Sequence, residues 1–381
     1  MTNKLSLTFI LILPLLAIWL TSGAPAARAE WELLGGTDDM GYIITLESDG
    51  IRLYAGTENG IYISLDDGRT WRSTEVSAEI SAIAITDHAV YAGAQYDRGG
   101  IWRSDDRGET WHPKNVGLQV TNTDTIRTGE IRIPAFRQIL ATSSGMVIAV
   151  AHYDGTFISH DRGETWHNPV HDWVWTRDGE ISMWVAAAIW SITEFDGYLW
   201  VAFGRYTDML FRSAENGNAW EILPHGGEKY RSLPDYGQIG DWAVVDNQLY
   251  AGAEFGFARW NEAELVWDDL SRGLPALGPR YQSSNLSERK IRALAVNRGR
   301  IFAGLDNFGV YMYDKRFEWW VDASQDRLNT FTVDALVSHK SKLYAAASHN
   351  SGTTLAIFRG SFPTVQPYGK TITTWGAIKQ K

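Results

Sequence analysis

The chain has 381 residues and carries 35 Lys and Arg against 45 Asp and Glu, a formal net charge of −10. With 44% hydrophobic residues it can bury a core, so global disorder is excluded. The sequence contains no cysteine, which excludes disulfides, thiolate metal sites and cysteine nucleophiles. Sequence-independent binding of nucleic acid requires a basic surface, so the acidic balance predicts no nucleic-acid partner.

Residues 1–29 have the features of a secretory signal peptide. Lys4 supplies the basic region, Leu5 to Leu20 form an apolar run, and a small-residue stretch ends at Ala29. This run of about 16 residues is shorter than the roughly 20 that a membrane-spanning helix needs. We therefore expect cleavage after Ala29 rather than an uncleaved anchor, and an extracytoplasmic protein, secreted or periplasmic, without a membrane span.

The next feature in chain order is a repeated motif with the core S-x-D-x-G-x-x-W. Its three full copies comprise Ser64, Asp66, Gly68 and Trp71, then Ser104, Asp106, Gly108 and Trp111, and then Ser159, Asp161, Gly163 and Trp166. A fourth, decayed copy retains Ser213, Gly217 and Trp220. Two later copies keep mainly an aromatic residue, at Trp267 and at Trp319 or Trp320. Much of the high Trp content of the chain, 18 residues, is therefore one repeated position.

A second pattern occurs seven times in full or degenerate form. It consists of an apolar residue and an aromatic residue followed by Ala-Gly. Its copies begin at Leu53, Val90, Val147, Leu199, Leu249, Ile301 and Leu343. Each follows another apolar stretch, and the first six precede a full or decayed turn motif, so the repeated unit predicts four short antiparallel strands. Such meanders stack around an axis because one alone cannot bury both faces. We predict an all-β protein, a single seven-bladed β-propeller over residues 30–362 followed by a tail at 363–381.

The closure of the predicted ring can also be argued from the sequence. The seventh unit lacks a turn motif and a fourth strand after Phe358, whereas Trp31 to Leu34 resemble an orphan fourth strand. Pairing the two segments would cap an exposed edge. The tail from Thr371 to Lys381 is an alternative closing segment, and the sequence leaves that choice open.

The residue types of the motif suit a tight turn. Asp and Ser side chains bond to nearby backbone groups, and Gly adopts a positive φ. The motif resembles the Asp-box, or BNR repeat, of sialidases, xyloglucanase-type glycosidases, sortilin-type receptor ectodomains and the photosystem II assembly and stability factors. The compact form in this chain looks most like the photosystem-factor group. The resemblance implies a propeller fold but no particular activity, because these families use one scaffold for unrelated functions.

The connections between units provide the candidate ligand-binding residues. Several are long and mix aromatic, Arg and carboxylate side chains, which suit recognition of a sugar or a peptide. The candidates are Arg132, Arg137, His171, Trp173, Trp175, Arg177, Arg205, Tyr206, Tyr236, Glu254, Arg280 and Tyr281. The alternative is that the aromatic residues only pack their own loops onto the blades.

One segment raises an enzymatic alternative. Ile131 to Phe136 resembles the F/Y-R-I-P-A-L segment of sialidases, which implies that Arg132 would hold a sugar carboxylate. A sialidase-like site would also need further arginines, which Arg205 or Arg280 would supply. It would need a Tyr nucleophile with an activating Glu as well, and Tyr236 and Glu254 would take these two roles. In the family, however, this segment precedes the first Asp-box, whereas here it follows two.

We therefore predict no catalytic residue, no cofactor and no metal. The favoured hypothesis is a monomeric, exported, non-enzymatic propeller that binds a protein or glycan through its loop-rich face. The alternatives are a sialidase-like glycoside hydrolase and a structural envelope protein without a defined ligand.

Overall fold

The structure is a computed structural model. It describes residues 30–35, 37–95, 99–121, 131–151, 154–168, 176–177, 180–181, 189–203, 210–214, 220–223, 238–254, 256–275, 290–349 and 352–359. The signal-peptide prediction, the tail at 363–381 and much of the long connections lie outside these residues.

Seven antiparallel sheets, here called blades 1 to 7, follow one another along the chain. Blade 1 contains Ile43–Ser48, Leu53–Thr57, Gly60–Ser64 and Arg72–Ser73. Blade 2 contains Ile80–Ile85, Val90–Ala94, Gly100–Ser104 and His112–Pro113. Blade 3 contains Phe136–Ala141, Val147–Ala151 and Thr156–Ser159. Blade 4 contains Ile189–Phe195, Tyr198–Phe203, Leu210–Ala214 and Trp220–Ile222. Blade 5 contains Ile239–Val245, Gln248–Ala253, Phe257–Asn261 and Val266–Asp269. Blade 6 contains Ile291–Asn297, Arg300–Leu305, Gly309–Asp314 and Trp319–Asp322. Blade 7 contains Thr332–His339, Lys342–His349, Gly352–Arg359 and Glu30–Leu34.

Three smaller elements lie outside the blades. They are a 3-10 helix at Asp38–Met40 and two ribbons, Val120–Thr121 with Ile131–Arg132 and Thr176–Arg177 with Glu180–Ile181. In blade 3 the fourth strand is reduced to a single bridge between Ile158 and His167.

The first strand of each blade is its innermost strand, and these seven strands contact one another in order around a closed ring. The predicted seven-bladed propeller is therefore confirmed. Because each blade is a meander, all innermost strands begin on one side of the ring, which we call the loop face. The Asp-box turns lie on the opposite side, which we call the Asp-box face.

The N-terminal strand closes the ring, which is one of the two closures that the sequence left open. Glu30–Leu34 pairs antiparallel with Gly352–Arg359, in a register that places Trp31 opposite Phe358. The strand belongs to blade 7 although it precedes blade 1 in the sequence, so the first and last segments of the propeller hold each other in place.

The three full Asp-boxes form one hydrogen-bonded turn in three copies. In the second copy, the Ser104 hydroxyl lies 2.7 Å from Asp106 and accepts the amide of Gly108 at 2.7 Å. Asp106 also accepts the amide of Thr110 at 2.9 Å and the Thr110 hydroxyl at 2.6 Å. Gly108 has a φ of +93°, which glycine adopts without strain. Both carboxylate oxygens of Asp106 therefore accept hydrogen bonds within the turn, from a backbone amide and from two hydroxyl groups, so the carboxylate has a structural role.

The hydrophobic cores lie between neighbouring blades, and the outer tryptophans connect them. The indole of Trp166 in blade 3 donates to the Lys114 carbonyl at 2.8 Å, and Trp320 in blade 6 donates to the Leu270 carbonyl at 3.0 Å. In both cases the acceptor follows the preceding blade. Of the two candidates for this position in blade 6, the structure places Trp320 in the core, 1% exposed.

Candidate functional site

The central channel is lined by the innermost strands, and all seven have a register shift at the same position. Each shift inserts one extra residue after the first residue of the strand, or after the second residue in blade 7, where the strand begins at Thr332. A β-bulge of this kind redirects the side chain of the extra residue. The seven extra residues, in blade order, are Ile44, Ser81, Arg137, Trp190, Gly240, Arg292 and Asp334, and all of them line the channel.

The channel holds a cavity of about 420 Å³. Its charged lining residues are Glu47, Arg137, Asp241, Lys290, Arg292 and Asp334. The cations lie at the beginning of the innermost strands, near the loop face. Asp334 lies at the same level as these cations, Asp241 lies one residue beyond the bulge residue of its strand, and Glu47 lies three residues beyond its own, toward the Asp-box face.

Arg137, Trp190 and Lys290 form a cation–aromatic cluster at this mouth. The guanidinium carbon of Arg137 lies 3.4 Å from the centroid of the Trp190 ring, and the Lys290 ammonium lies 5.8 Å from a centroid of the same side chain. Glu254 approaches Lys290 at 3.6 Å, which is a long ion pair. The aromatic ring attracts both cations through its quadrupole without neutralising either. The cluster therefore holds two positive charges close together on blades 3, 4 and 6.

A second polar network lies beside the cluster at the junction of blades 6, 7 and 1. Asp334 accepts hydrogen bonds from Tyr42, from Ser348 at 2.8 Å and from Arg292 at 2.9 Å. Burial, together with the bond to Asp334, raises the pKa of Tyr42 to about 12. Burial also raises the pKa of Asp334, although its partners oppose the shift. Because Asp334 pairs with Arg292, this network retains little net charge.

The deeper carboxyl groups have different surroundings. Asp241 accepts the backbone amides of Trp242 at 2.8 Å and Leu294 at 2.7 Å, so it ties blade 5 to blade 6. Burial raises its pKa to about 6 despite these two bonds. Burial in the channel wall raises the pKa of Glu47 to about 8, and the charge of Asp241 adds to that shift.

Three of the sequence candidates have described side chains. Arg137 is the bulge residue of blade 3, and Glu254 contacts Lys290 at the end of a blade 5 strand. Arg132 lies in the ribbon before blade 3, where both ends of its guanidinium bond to Asp154, at 2.9 and 2.6 Å. Of Arg177 the structure describes only the backbone. The other candidates, His171, Trp173, Trp175, Arg205, Tyr206, Tyr236, Arg280 and Tyr281, lie outside the described residues, and so does Gly217 of the decayed turn motif.

The candidate set omitted Tyr42, Glu47, Trp190, Asp241, Lys290, Arg292 and Asp334. A signal for the bulge position was present in the sequence. Each innermost strand contains, at its first or second position, an apolar residue that is followed by the bulge residue, one further residue and a second hydrophobic residue, as in Ile189-Trp-Ser-Ile192 and Val333-Asp-Ala-Leu336. Aligning the seven copies on that pattern would have placed the bulge residues in one ring.

The comparisons with known proteins agree with this architecture. The family model for the BNR/Asp-box repeat matches residues 102–113 and 157–168. No curated protein sequence matches the chain significantly. The chain is thus a seven-bladed β-propeller built with BNR/Asp-box turns.

Solved structures resemble the chain in fold at low sequence identity. The extracellular domain of the putative hybrid two-component system BT4673 from B. thetaiotaomicron is 13% identical with a TM-score of 0.60, over 88% of this chain and 40% of that one. YCF48 bound to D1 peptide is 12% identical with a TM-score of 0.56, over 90% of this chain and 100% of that one. The GH74 xyloglucanase from Xanthomonas campestris is 16% identical with a TM-score of 0.57, over 84% of this chain and 52% of that one. The chain thus spans well under two thirds of the BT4673 domain, and these likenesses concern the fold alone.

The described residues contain no helix that is long and apolar enough to cross a membrane. In the same part of the chain, no three His, Asp or Glu side chains are grouped so that they could hold a metal ion.

Proposed function

We propose that this chain is an exported, non-enzymatic propeller that binds a partner protein at the mouth of its central channel, on the loop face. The observation that carries the proposal is the cation–aromatic cluster of Arg137, Trp190 and Lys290. Two cations held together at the rim of a cavity favour an anionic group, and Arg suits carboxylates in particular. The partner segment that fits this mouth is an acidic stretch of polypeptide.

Two further points favour a polypeptide over a glycan. Glycans bind through sugar faces stacked on aromatic rings, and one face of Trp190 is already covered by Arg137 at 3.4 Å. In addition, YCF48, a propeller of matching length, has been solved with a bound peptide. The cavity of about 420 Å³ can accommodate a few side chains of such a segment.

The proposal is tested with a rhodamine-labelled hexaglutamate peptide and fluorescence anisotropy, using hexalysine as the control peptide. We expect saturable binding of hexaglutamate, weakened about tenfold by Lys290→Gln, since a charge-assisted bond contributes about 1.5–3 kcal/mol. The matched control is Arg298→Gln, because Arg298 lies in an exposed turn of the same blade on the Asp-box face. Equal binding of the two peptides, or equal effects of the two substitutions, would refute a site at the mouth.

The sialidase-like alternative depends on Arg132. Because Asp154 occupies both ends of the Arg132 guanidinium, a sugar carboxylate would have to displace an existing ion pair. Turnover of a fluorogenic sialoside by the purified protein, abolished by Arg132→Ala, would favour the enzyme; we expect no turnover.

A further inference from the structure

Glu47 is a carboxyl group in the channel that the proposed binding function does not use. It lies on the innermost strand of blade 1, opposite Tyr54 in the sheet register. The residues at the equivalent register positions of the other six blades are Ala84, Leu140, Thr193, Ala243, Ala295 and Val337. None of these is ionisable, so Glu47 is the one titratable residue among the seven equivalent positions of the described innermost strands.

Glu47 shares one cavity with the cations of the mouth. The other charged groups that line the cavity are Arg137 on blade 3, Asp241 on blade 5, Lys290 and Arg292 on blade 6, and Asp334 on blade 7. Blade 1 adds the phenol of Tyr42, blade 2 lines the cavity with the uncharged Ser81 and Gln95, and blade 4 with Trp190. Arg292 and Asp334 pair at 2.9 Å and largely cancel. Asp241 is held by two backbone amides. Glu47 is therefore the carboxyl group whose charge is least compensated by its neighbours.

The charge of Glu47 acts at the mouth through a short stretch of enclosed channel. Glu47 is three residues beyond the bulge residue Ile44, which is about 10 Å along a strand. This offset along the channel is the least distance between Glu47 and the cations of the other blades. Two unit charges about 10 Å apart at an effective dielectric constant of about 20 change an equilibrium constant by about tenfold at most, and salt reduces the effect to about threefold or less. Burial raises the pKa of Glu47 to about 8, so the group changes charge close to neutral pH.

We propose that the protonation state of Glu47 controls how strongly the channel mouth binds an anionic segment. The proposal rests on the proposed function, since it concerns the same site. With Glu47 protonated, the mouth cations attract the segment without an opposing charge from Glu47. When Glu47 loses its proton, its negative charge repels the bound carboxylates and binding weakens. By linkage, the bound segment raises the proton affinity of Glu47 to the same extent.

The first experiment measures hexaglutamate binding at pH 7 and pH 9 with the rhodamine label, which does not titrate in that range; Asp241, whose pKa is about 6, is already largely ionised at pH 7. We expect the wild-type chain to bind about three- to tenfold more weakly at pH 9, and Glu47→Gln to show no such loss. Glu264→Gln is the matched control, because Glu264 is exposed on a turn of blade 5 and should leave the pH dependence intact. The same pH dependence in wild type and Glu47→Gln would overturn the proposal.

The second experiment needs no ligand. In protein labelled with 13C-glutamate, the carboxyl resonance that is absent from Glu47→Gln belongs to Glu47. We expect it to titrate near pH 8 and to shift to a higher midpoint in Lys290→Gln, because a nearby cation has been removed. A midpoint below pH 6, or no change in Lys290→Gln, would refute the coupling. If hexaglutamate fails to bind at any pH, the proposed function is wrong, and the NMR titration alone decides whether Glu47 and the mouth are coupled.

Discussion

Replacing Trp31 with Ala tests the closure of the ring by the N-terminal strand. Trp31 is fully buried, with 0% exposure, and its indole packs edge-on against Phe358 at 5.4 Å between ring centroids. Its Nε1 donates to the Ala323 carbonyl of blade 6 at 2.8 Å. One side chain therefore connects the first strand of the propeller to blade 6 and to the last strand of the chain.

The expected cost follows from these contacts. Truncation of a buried Trp to Ala costs about 3–5 kcal/mol through lost burial and the cavity left behind. The Ala323 carbonyl would also lose its hydrogen-bond donor, which adds about 1 kcal/mol. We therefore expect the free energy of unfolding to fall by about 4–6 kcal/mol and the urea midpoint to fall by about 1 M or more.

Leu33→Ala provides a matched control on the same strand. Leu33 is 44% exposed, so its truncation should cost less than about 1 kcal/mol. Urea unfolding, followed by the far-UV circular dichroism of both variants, separates the two effects. If Trp31→Ala were no more destabilising than Leu33→Ala, the closure of the ring by this strand would be wrong.

Three further substitutions test the turns, the channel and a close backbone approach. Asp106→Ala removes the carboxylate that accepts from Ser104 and from the amide and hydroxyl of Thr110, and it should cost about 1–3 kcal/mol in urea unfolding. The neighbouring, exposed Asp105→Ala should cost less than about 0.5 kcal/mol, and equal costs would contradict the structural role of the motif. Between about pH 4.5 and 8 the folded chain keeps the proton of Glu47 that the unfolded chain has released, because the pKa of Glu47 is raised in the folded state, so the stability of the wild-type chain should fall as the pH rises through that interval. In thermal melts, Glu47→Gln should reduce this fall by about 1–3 kcal/mol between pH 5 and 9. An unchanged dependence of stability on pH would contradict the raised pKa. Gly60→Ala should lower the free energy of unfolding by more than about 3 kcal/mol, because residue 60 has a φ of +132° and the new Cβ would lie 2.1 Å from the Val76 carbonyl oxygen. The control, Gly50→Ala, lies at an open site with a φ of +83° and should cost about 1 kcal/mol. A milder effect at Gly60 would refute the close approach of the two backbone segments.

The fold could be predicted from the sequence because each blade carries its own local signals. The second strand of a blade and the Asp-box turn are encoded by adjacent residues, so their repetition fixes the number of blades and the order of strands. The closing strand was predictable only in part. Trp31 occupies the aromatic position that the seventh unit lacks, but the sequence left the tail from Thr371 to Lys381 as an alternative, and the observed pairing of Glu30–Leu34 identifies the closing strand. Blade 6 shows the limit of such reasoning, because only the three-dimensional packing distinguishes Trp320 from its neighbour Trp319.

The candidate site was less predictable because its members are far apart in the sequence. Arg137 and Lys290 lie on blades 3 and 6 and meet only at Trp190 on blade 4. The candidate residues were chosen for the composition of the connecting loops, whereas the described cluster arises largely from bulges at the beginning of the innermost strands. A bulge is a property of strand pairing, and a single strand sequence does not show it.

Site-specific crosslinking tests the binding of a partner at the channel mouth most directly. A photoreactive p-benzoylphenylalanine is placed at Ile44, the bulge residue of blade 1, or at Ile51, which is exposed on the Asp-box face of the same blade. The chain is then illuminated in cells of its natural source. We predict a discrete crosslinked partner from position 44 that disappears in Lys290→Gln, and none from position 51. A partner captured from position 51 but not from position 44 would contradict binding at the mouth of the channel.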